Sequence, residues 1–343
     1  MSARPFPLDH DQPSPTPRIA VVVPCFRVRR HVLDVLRRIG PECAAVYVVD
    51  DKCPEGSGEH VARECRDARV RVTFHEENQG VGGATLTGYR LALEGGATVI
   101  VKVDGDGQMD PELIPRLVRV VLQGEADYAK GNRFFHLDGL PRMPLVRLLG
   151  NSILSFVSKL SSGYWNVFDP TNGFTAIHAR VARVLPFAKL DKGYFFESDL
   201  LFRLNTLGAV VVDVPMPVRY GDEHSSLSVG RSAAEFAVKH AGNFVKRILY
   251  NYYWRNFHIA SVELVAGLAL LLFGVGVGSY HWWVNAHSAV FTSSGTVMLA
   301  ALPVIVGIQL LLAFLNFDVQ SVPQKALHPR LPDAGWDDPP PPP

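Results

Sequence analysis

Two apolar runs near the C-terminus constrain this chain more than any other feature. Ile259–Tyr280 and Val297–Phe317 hold mostly apolar residues, with Glu263 near one edge of the first and, in the second, Gln309 as the strongly polar side chain of the interior and Asn316 beside its end. Each spans roughly 20 residues, enough to cross ~30 Å of hydrocarbon as a helix. Soluble cores seldom need two such runs back to back, so 258–318 reads as a two-helix transmembrane hairpin. The loop between the runs carries Trp282 and Trp283 and no Lys or Arg, whereas Lys246, Arg247 and Arg255 precede the first run and Lys325 and Arg330 follow the second. This asymmetry places the large N-terminal part and both termini in the cytoplasm, at the plasma (inner) membrane if the cell is bacterial. A hydrophobic content of 48% fits a membrane-anchored chain. The spacing of Gly274 and Gly278 is compatible with helix association in a homo-oligomer.

Ahead of the hairpin, short β-branched runs alternate with helical patterns. Arg18–Pro24, Ala45–Val49, Arg69–Phe74, Val99–Val103 and Ala126–Lys130 read as strands. Arg29–Ile39, Gly80–Glu94 and Pro111–Gln123 read as helices. The alternation predicts an α/β fold with a mostly parallel sheet and helices on both faces. Leu145–Leu160 and Ser232–Asn256 mix basic and apolar residues, and the second ends in the aromatic cluster Tyr250–Trp254. Such helices lie on a bilayer surface; packing into a core is the plainer alternative. The segment 231–257 is thus expected to be a juxtamembrane amphipathic helix. The proline-rich ends, 1–17 and 319–343, read as disordered tails, and the first lacks the apolar core of a signal peptide. A net charge of +1 gives no electrostatic case for nucleic acid. Cys25, Cys43, Cys53 and Cys65 form no C-x-x-C pair, so reduced thiols are expected rather than disulfides or zinc.

The stretch Val99–Glu112 carries the chemistry. A strand buried on both faces ends in Asp104 and Asp106, at the edge where open α/β sheets bind ligands. Gly105 and Gly107 let the backbone bend there. Two carboxylates plus the Gln108 amide oxygen would suit Mg²⁺ or Mn²⁺ carrying a diphosphate; a polar turn accounts equally well for the residues alone. Gly80-Val-Gly-Gly83 opens a helix but continues neither as G-x-G-x-x-G, because residue 85 is Thr, nor as a P-loop. Its glycines allow either phosphate approach to backbone N–H groups or close packing, and packing is the preferred reading.

An ordered set of segments resembles glycosyltransferase family 2, of the GT-A fold, in its branch of dolichol- and polyprenyl-phosphate sugar transferases. Val21–Phe26, Val48–Asp51, Asn78–Ala84, Asp104–Gln108 with Asp110–Glu112, Gly131–Arg133, Asp169–Phe174, Phe196–Leu201 and Arg219–Leu227 match that family's motifs in its order. The resemblance implies a Rossmann-like GT-A catalytic domain over 18–230. It implies a metal-dependent, inverting transfer of sugar from a UDP- or GDP-sugar to a membrane polyprenyl phosphate. Pro24, Phe26, Asp50, Asp51, Gly80 and Asp104 would bind the nucleotide-sugar, and Asp104, Asp106 and Gln108 the metal. Asp169 and Arg133 would be catalytic, Asp169 as base or positioner. Arg133, Arg219 and His224 would hold the acceptor phosphate, and Glu197 and Asp199 the sugar. The polar loop at Lys192 and Gly193 would close over the donor. The chain departs from the family after its second strand, at Asp50–Ser57, and carries Val81 where many relatives have Lys. The motif and extra spans of the processive synthases are absent from this sequence, which disfavours polymer synthesis. A glycan or protein acceptor, or a catalytically silent membrane scaffold of this fold, are the alternatives.

Overall fold

Valine-rich runs become the central strands because branched side chains pack well on both faces of a pleated sheet. The computed structural model describes residues 16–133, 145–216, 229–288 and 291–332. In chain order these form β1 (Ile19–Cys25), α1 (Val32–Arg37), β2 (Cys43–Asp50), α2 (Ser57–Glu64), β3 (Val70–Phe74), α3 (Gly80–Glu94), β4 (Val99–Lys102), α4 (Ile114–Leu122) and β5 (Tyr128–Asn132). There follow α5 (Leu145–Ser162), β6 (Thr175–His178), α6 (Ala179–Val184), α7 (Phe196–Leu207), β7 (Val211–Pro215), α8 (Val229–Leu249), α9 (Ile259–Ser288) and α10 (Ser294–Gln320).

Among the described residues the seven strands form one sheet in the order β3-β2-β1-β4-β6-β5-β7. Strand β6 runs antiparallel to both neighbours, and the other pairs are parallel. Val21, Val23, Val99 and Val101 enter one core with α1 and α4, while Ala20, Val22 and Ile100 enter the other with α3 and α7. The expected mostly parallel sheet, covered on both faces, is therefore present. Strands β6 and β7 go beyond the sequence reading: one has four residues and the other carries Asp213 within it.

Helices α9 and α10 pack against each other as a hairpin, and both are long and apolar enough to cross a membrane. Only 22% and 11% of their most apolar windows are buried, unlike core helices of a soluble domain. A Cβ on Gly274 would sit 2.6 Å from the Ala300 carbonyl oxygen, and one on Gly278 would lie 3.3 Å from the Ala300 Cβ. These glycines thus serve the approach of α9 to α10 within the hairpin.

Helix α8 is amphipathic in a different sense from the one expected. Its apolar Val238, Val245 and Leu249 are exposed, while Arg247 and His240 are buried. Arg247 pairs with Asp318 of α10 at 2.5 and 3.0 Å, and Tyr252 and Trp165 also donate to that carboxylate. Arg247 therefore moors α8 to the protein beside the buried Ile248, while Val238, Val245 and Leu249 are left outward. The expected disorder from 319 also differs from what is found. Residues 319–332 run from the end of α10 back onto the sheet domain, and Val322 is buried in its core. The Leu327 and His328 N–H groups donate to the Asp127 carboxylate, and the His328 ring stacks on His178 with centroids 4.1 Å apart. Three groups on one buried carboxylate, the Leu327 and His328 N–H groups and His328 Nδ1, explain why this stretch is held. Of the expected tails, 1–17 and 319–343, the parts 1–15 and 333–343 lie outside the described residues.

Candidate active site

Strands β1, β2 and β4 are parallel, so their carboxyl ends open on one edge of the sheet. There Pro24–Val28, Asp51, Lys52, Pro54 and Asp104–Asp106 line a cleft of about 910 Å³, the place where a sheet of this kind receives ligands. Of the residues expected at the donor, Pro24, Phe26, Asp51, Gly80, Asp104 and Asp106 line it. Arg27, Lys52, Asn78 and Tyr194 line it as well and were not foreseen. Arg27 and Lys52 both have left-handed backbones, φ 57° and 54°, a conformation uncommon for non-glycine residues. Gln108 is exposed, and its N–H donates to Asp106 Oδ1 at 3.0 Å. Its side chain is not among the cleft residues.

The neighbouring aspartates 50 and 51 each hold a helix start. Asp50 accepts the Cys53 and Gly58 N–H groups at 2.7 and 2.6 Å, fixing the turn into α2. Asp51 accepts the Gln79 and Gly80 N–H groups at 2.8 and 2.7 Å, and His75 Nδ1 lies 2.7 Å away. Free N–H groups and the positive end of the helix dipole stabilise a carboxylate there. Gly80 has φ +82°, and a Cβ on it would approach the Lys192 carbonyl oxygen to 2.5 Å. The glycines of this segment thus admit the 191–193 loop against α3, in line with the packing reading.

Asp104 has a partner that sequence reasoning missed. Lys102 Nζ lies 2.8 Å from Asp104 and 2.9 Å from Glu197. Burial disfavours the Lys102 charge, but the two carboxylates outweigh it and hold the amine above its ordinary range. Glu197, expected to bind sugar, is thus committed to a buried ion triad. Asp199, expected in the same role, is buried and accepts from the Asp191 N–H, Arg203 Nε and Asn243 Nδ2. It joins α7 to the 191 loop and to α8.

At the carboxyl end of β5, Arg133 grips Asp169 with two bonds, Nε at 2.8 Å and Nη2 at 3.0 Å. Asp169 is fully buried; the Arg133 side chain is 39% exposed. Lys130, lowered to about 8 by burial, donates to the Asn172 carbonyl, and Asp213, raised to about 6 by burial, accepts from Phe168 N–H and Asn132 Nδ2. Arg219 and His224 lie outside the described residues.

Two hard carboxylates on an open cleft fit a divalent cation. Among the described residues no third His, Cys, Asp or Glu joins them, so water and phosphate oxygens would complete the sphere, as Mg²⁺ favours.

The mostly parallel sheet with this acidic pair at a strand end is a fold of the GT-A type. A solved structure of glucosyl-3-phosphoglycerate synthase from Mycobacterium tuberculosis, with Mn²⁺, UDP-glucose and phosphoglyceric acid, shares the fold: TM-score 0.50, 18% identity, 69% of this chain and 81% of that one. The family model for glycosyl transferase family 2 matches residues 20–185. The undecaprenyl-phosphate mannosyltransferase of Micrococcus luteus is 32% identical over 204 residues, 58% of this chain and 82% of the relative. The polyprenol monophosphomannose synthase of Mycolicibacterium smegmatis is 32% identical over 208 residues, 59% and 77% of the two chains. The chain belongs to glycosyl transferase family 2, and it is a glycosyltransferase.

Proposed function

We propose that this enzyme moves a sugar, with inversion, from a nucleoside-diphosphate sugar to a polyprenyl phosphate at the cytoplasmic side of a membrane. One observation carries the reading: the Asp104/Asp106 cleft sits in a domain tied through Arg247–Asp318 and Asp127–His328 to a hairpin fit to cross a bilayer. The names of the two bacterial relatives point to the same acceptor class.

Pro24, Phe26 and Asp51 form the nucleoside end, with Arg27 and Lys52 supplying positive charge beside it. Asp104 and Asp106 would hold a Mg²⁺ or Mn²⁺ ion. When bound, the ion offsets the charge that develops on the departing nucleoside diphosphate. Arg133 faces a phosphate with its partly exposed guanidinium, whose geometry suits that group. Asp169 orients Arg133 rather than removing a proton. A phosphate monoester, with a second pKa of about 6, is already largely deprotonated at neutral pH. A phosphate oxygen of the acceptor attacks the anomeric carbon, and the bond to the donor diphosphate breaks with its electron pair leaving on the diphosphate. Helix α8 and the 258–318 hairpin keep the domain at the level of the lipid headgroups, with the 18–230 domain and both termini in the cytoplasm.

The test is transfer of radiolabelled sugar into the organic phase, using full-length protein in detergent, polyprenyl phosphate, Mg²⁺ or Mn²⁺, and a panel of UDP- and GDP-sugars. Label in the lipid from one donor, lost with a chelator and in Asp104→Asn, is expected. Transfer only to a soluble glycan or protein would overturn the acceptor assignment. Nucleotide binding with no transfer at all would favour a scaffold.

A further inference from the structure

The cleft wall at Gly193 and Tyr194 belongs to a loop fastened to three helices. Toward α3, the Lys192 carbonyl accepts the Gly83 N–H at 3.1 Å. Toward α7, the Asp191 N–H donates to Asp199 at 3.0 Å. Toward α8, the Asp191 carboxylate takes Lys239 Nζ at 2.7 Å, and Asp199 takes Asn243 Nδ2 at 3.1 Å. Phe195 packs against Phe236 and His240 of α8, with ring centroids 5.5 and 4.8 Å apart. On its outward side the same helix exposes Val238, Val245 and Leu249. One face of α8 therefore grips the cleft wall while another offers apolar area to lipid.

We propose that Lys239 and Asn243 are positioning residues that transmit the seating of α8 on the bilayer to the nucleotide cleft. The inference rests on reading that cleft as the nucleotide site. An interfacial helix is held by the apolar area it buries in the headgroup region. Once seated, α8 fixes the position of Asp191 and Asp199, and through them the backbone of Gly193 and Tyr194. The tethers end on the donor wall and not on Arg133 or Asp169, so they act on nucleotide affinity and leave acceptor binding alone. Lys239 also pairs with Glu235 of its own helix at 2.7 Å, which holds the ammonium in place beside Asp191.

The experiment measures Kd for UDP and GDP with Mg²⁺, together with donor and acceptor KM, on full-length protein in nanodiscs of phosphatidylethanolamine and phosphatidylglycerol. A partly exposed ion pair is worth a few-fold in an equilibrium, so Lys239→Met is expected to raise nucleotide Kd and donor KM about five-fold. The kcat and acceptor KM stay at wild-type values. Lys239→Glu and Asp191→Lys each weaken binding, and combining them restores it to within about two-fold, which a simple folding defect would not do. Replacing Val238, Val245 and Leu249 together by Ser, on the lipid side, weakens nucleotide binding in the same direction. Unchanged nucleotide Kd in Lys239→Met and Asn243→Ala, or in the triple Ser variant, overturns the coupling. So does an effect confined to acceptor KM. Wild-type protein that binds neither nucleotide overturns the cleft reading itself, a result distinct from binding that the variants leave unaltered.

Discussion

Asp51→Asn separates two roles that one carboxylate can have in this cleft. In the structure both oxygens of Asp51 are engaged: Oδ1 with the Gln79 N–H and His75, Oδ2 with the Gly80 N–H. An asparagine keeps one acceptor oxygen and turns an amide N–H₂ toward a backbone N–H. The fold then loses at least one hydrogen bond to a charged acceptor, worth about 1.5–3 kcal/mol. It also loses the charge–dipole term at the start of α3, about 0.3–1 kcal/mol. The sum is about 3 kcal/mol, which for a domain of 150–250 residues lowers Tm by roughly 6–12 °C. The assay is thermal unfolding of full-length protein in detergent, followed by far-UV circular dichroism, alongside nucleotide binding. A Tm within a degree of wild type with nucleotide affinity lost would refute the reasoning. Asp51 would then act on the nucleoside and not on the start of α3.

Three other outcomes follow from buried charges and from the acidic pair. Lys102→Met leaves Asp104 and Glu197 without their shared cation, a buried loss of about 3–5 kcal/mol; Lys102→Met combined with Glu197→Leu should recover much of the Tm. Asp106→Asn, or excess chelator on the wild type, should abolish transfer while Tm stays unchanged, since Asp106 sits on the open cleft and not in the core; catalysis surviving both would remove the metal from the mechanism. Acid should destabilise the fold between about pH 6.5 and 4. Burial holds His178 and His240 down at about 4, below their unfolded value, so the unfolded chain takes up two protons first and stability falls with pH. Asp213, raised by burial to about 6, takes up one proton in the fold over much of the same range and offsets part of this. Unfolding midpoints followed from pH 7 to 4 should decline, and His240→Leu should flatten the decline; a flat wild-type profile would contradict the assignment.

The parts of the site that could be read from sequence are those whose meaning is local. Val99–Val103 is apolar at every position but one, so a doubly covered strand followed by Asp104 and Asp106 follows directly from the pattern. The exception, Lys102, reads as an interruption until Glu197, 95 residues away, is seen to pair with it. Asp50 and Asp51 are legible as strand-end acids. Their assignments are not, because those depend on N–H groups delivered by two separate helix starts. For α8, periodicity gives an amphipathic helix but cannot say which class of side chain turns inward. Lys239 and Arg247 turn inward because Asp191 and Asp318 wait there, and both come from segments far off in the chain. The same holds for 319–332, whose proline-rich composition predicts disorder until the Asp127 carboxylate gathers its N–H groups.

These distant carboxylates have a common consequence. Asp191 and Asp199 receive side chains of α8 before the chain reaches the hairpin, Asp318 joins α8 to the end of the hairpin, and Asp127 receives the chain after it. A domain joined to a membrane anchor by one flexible link swings, and inter-domain motion is the default for such links. Here the segments that enter and leave the hairpin are both fastened to the sheet domain, at Asp191 beside the donor cleft and at Asp127 just before β5. Two separated attachments oppose tilting as well as translation. For the proposed acceptor, whose phosphate rests at the headgroup level while its chain stays in hydrocarbon, that restraint would fix the height at which Arg133 meets the phosphate. The restraint replaces a conformational search that each turnover would otherwise repeat.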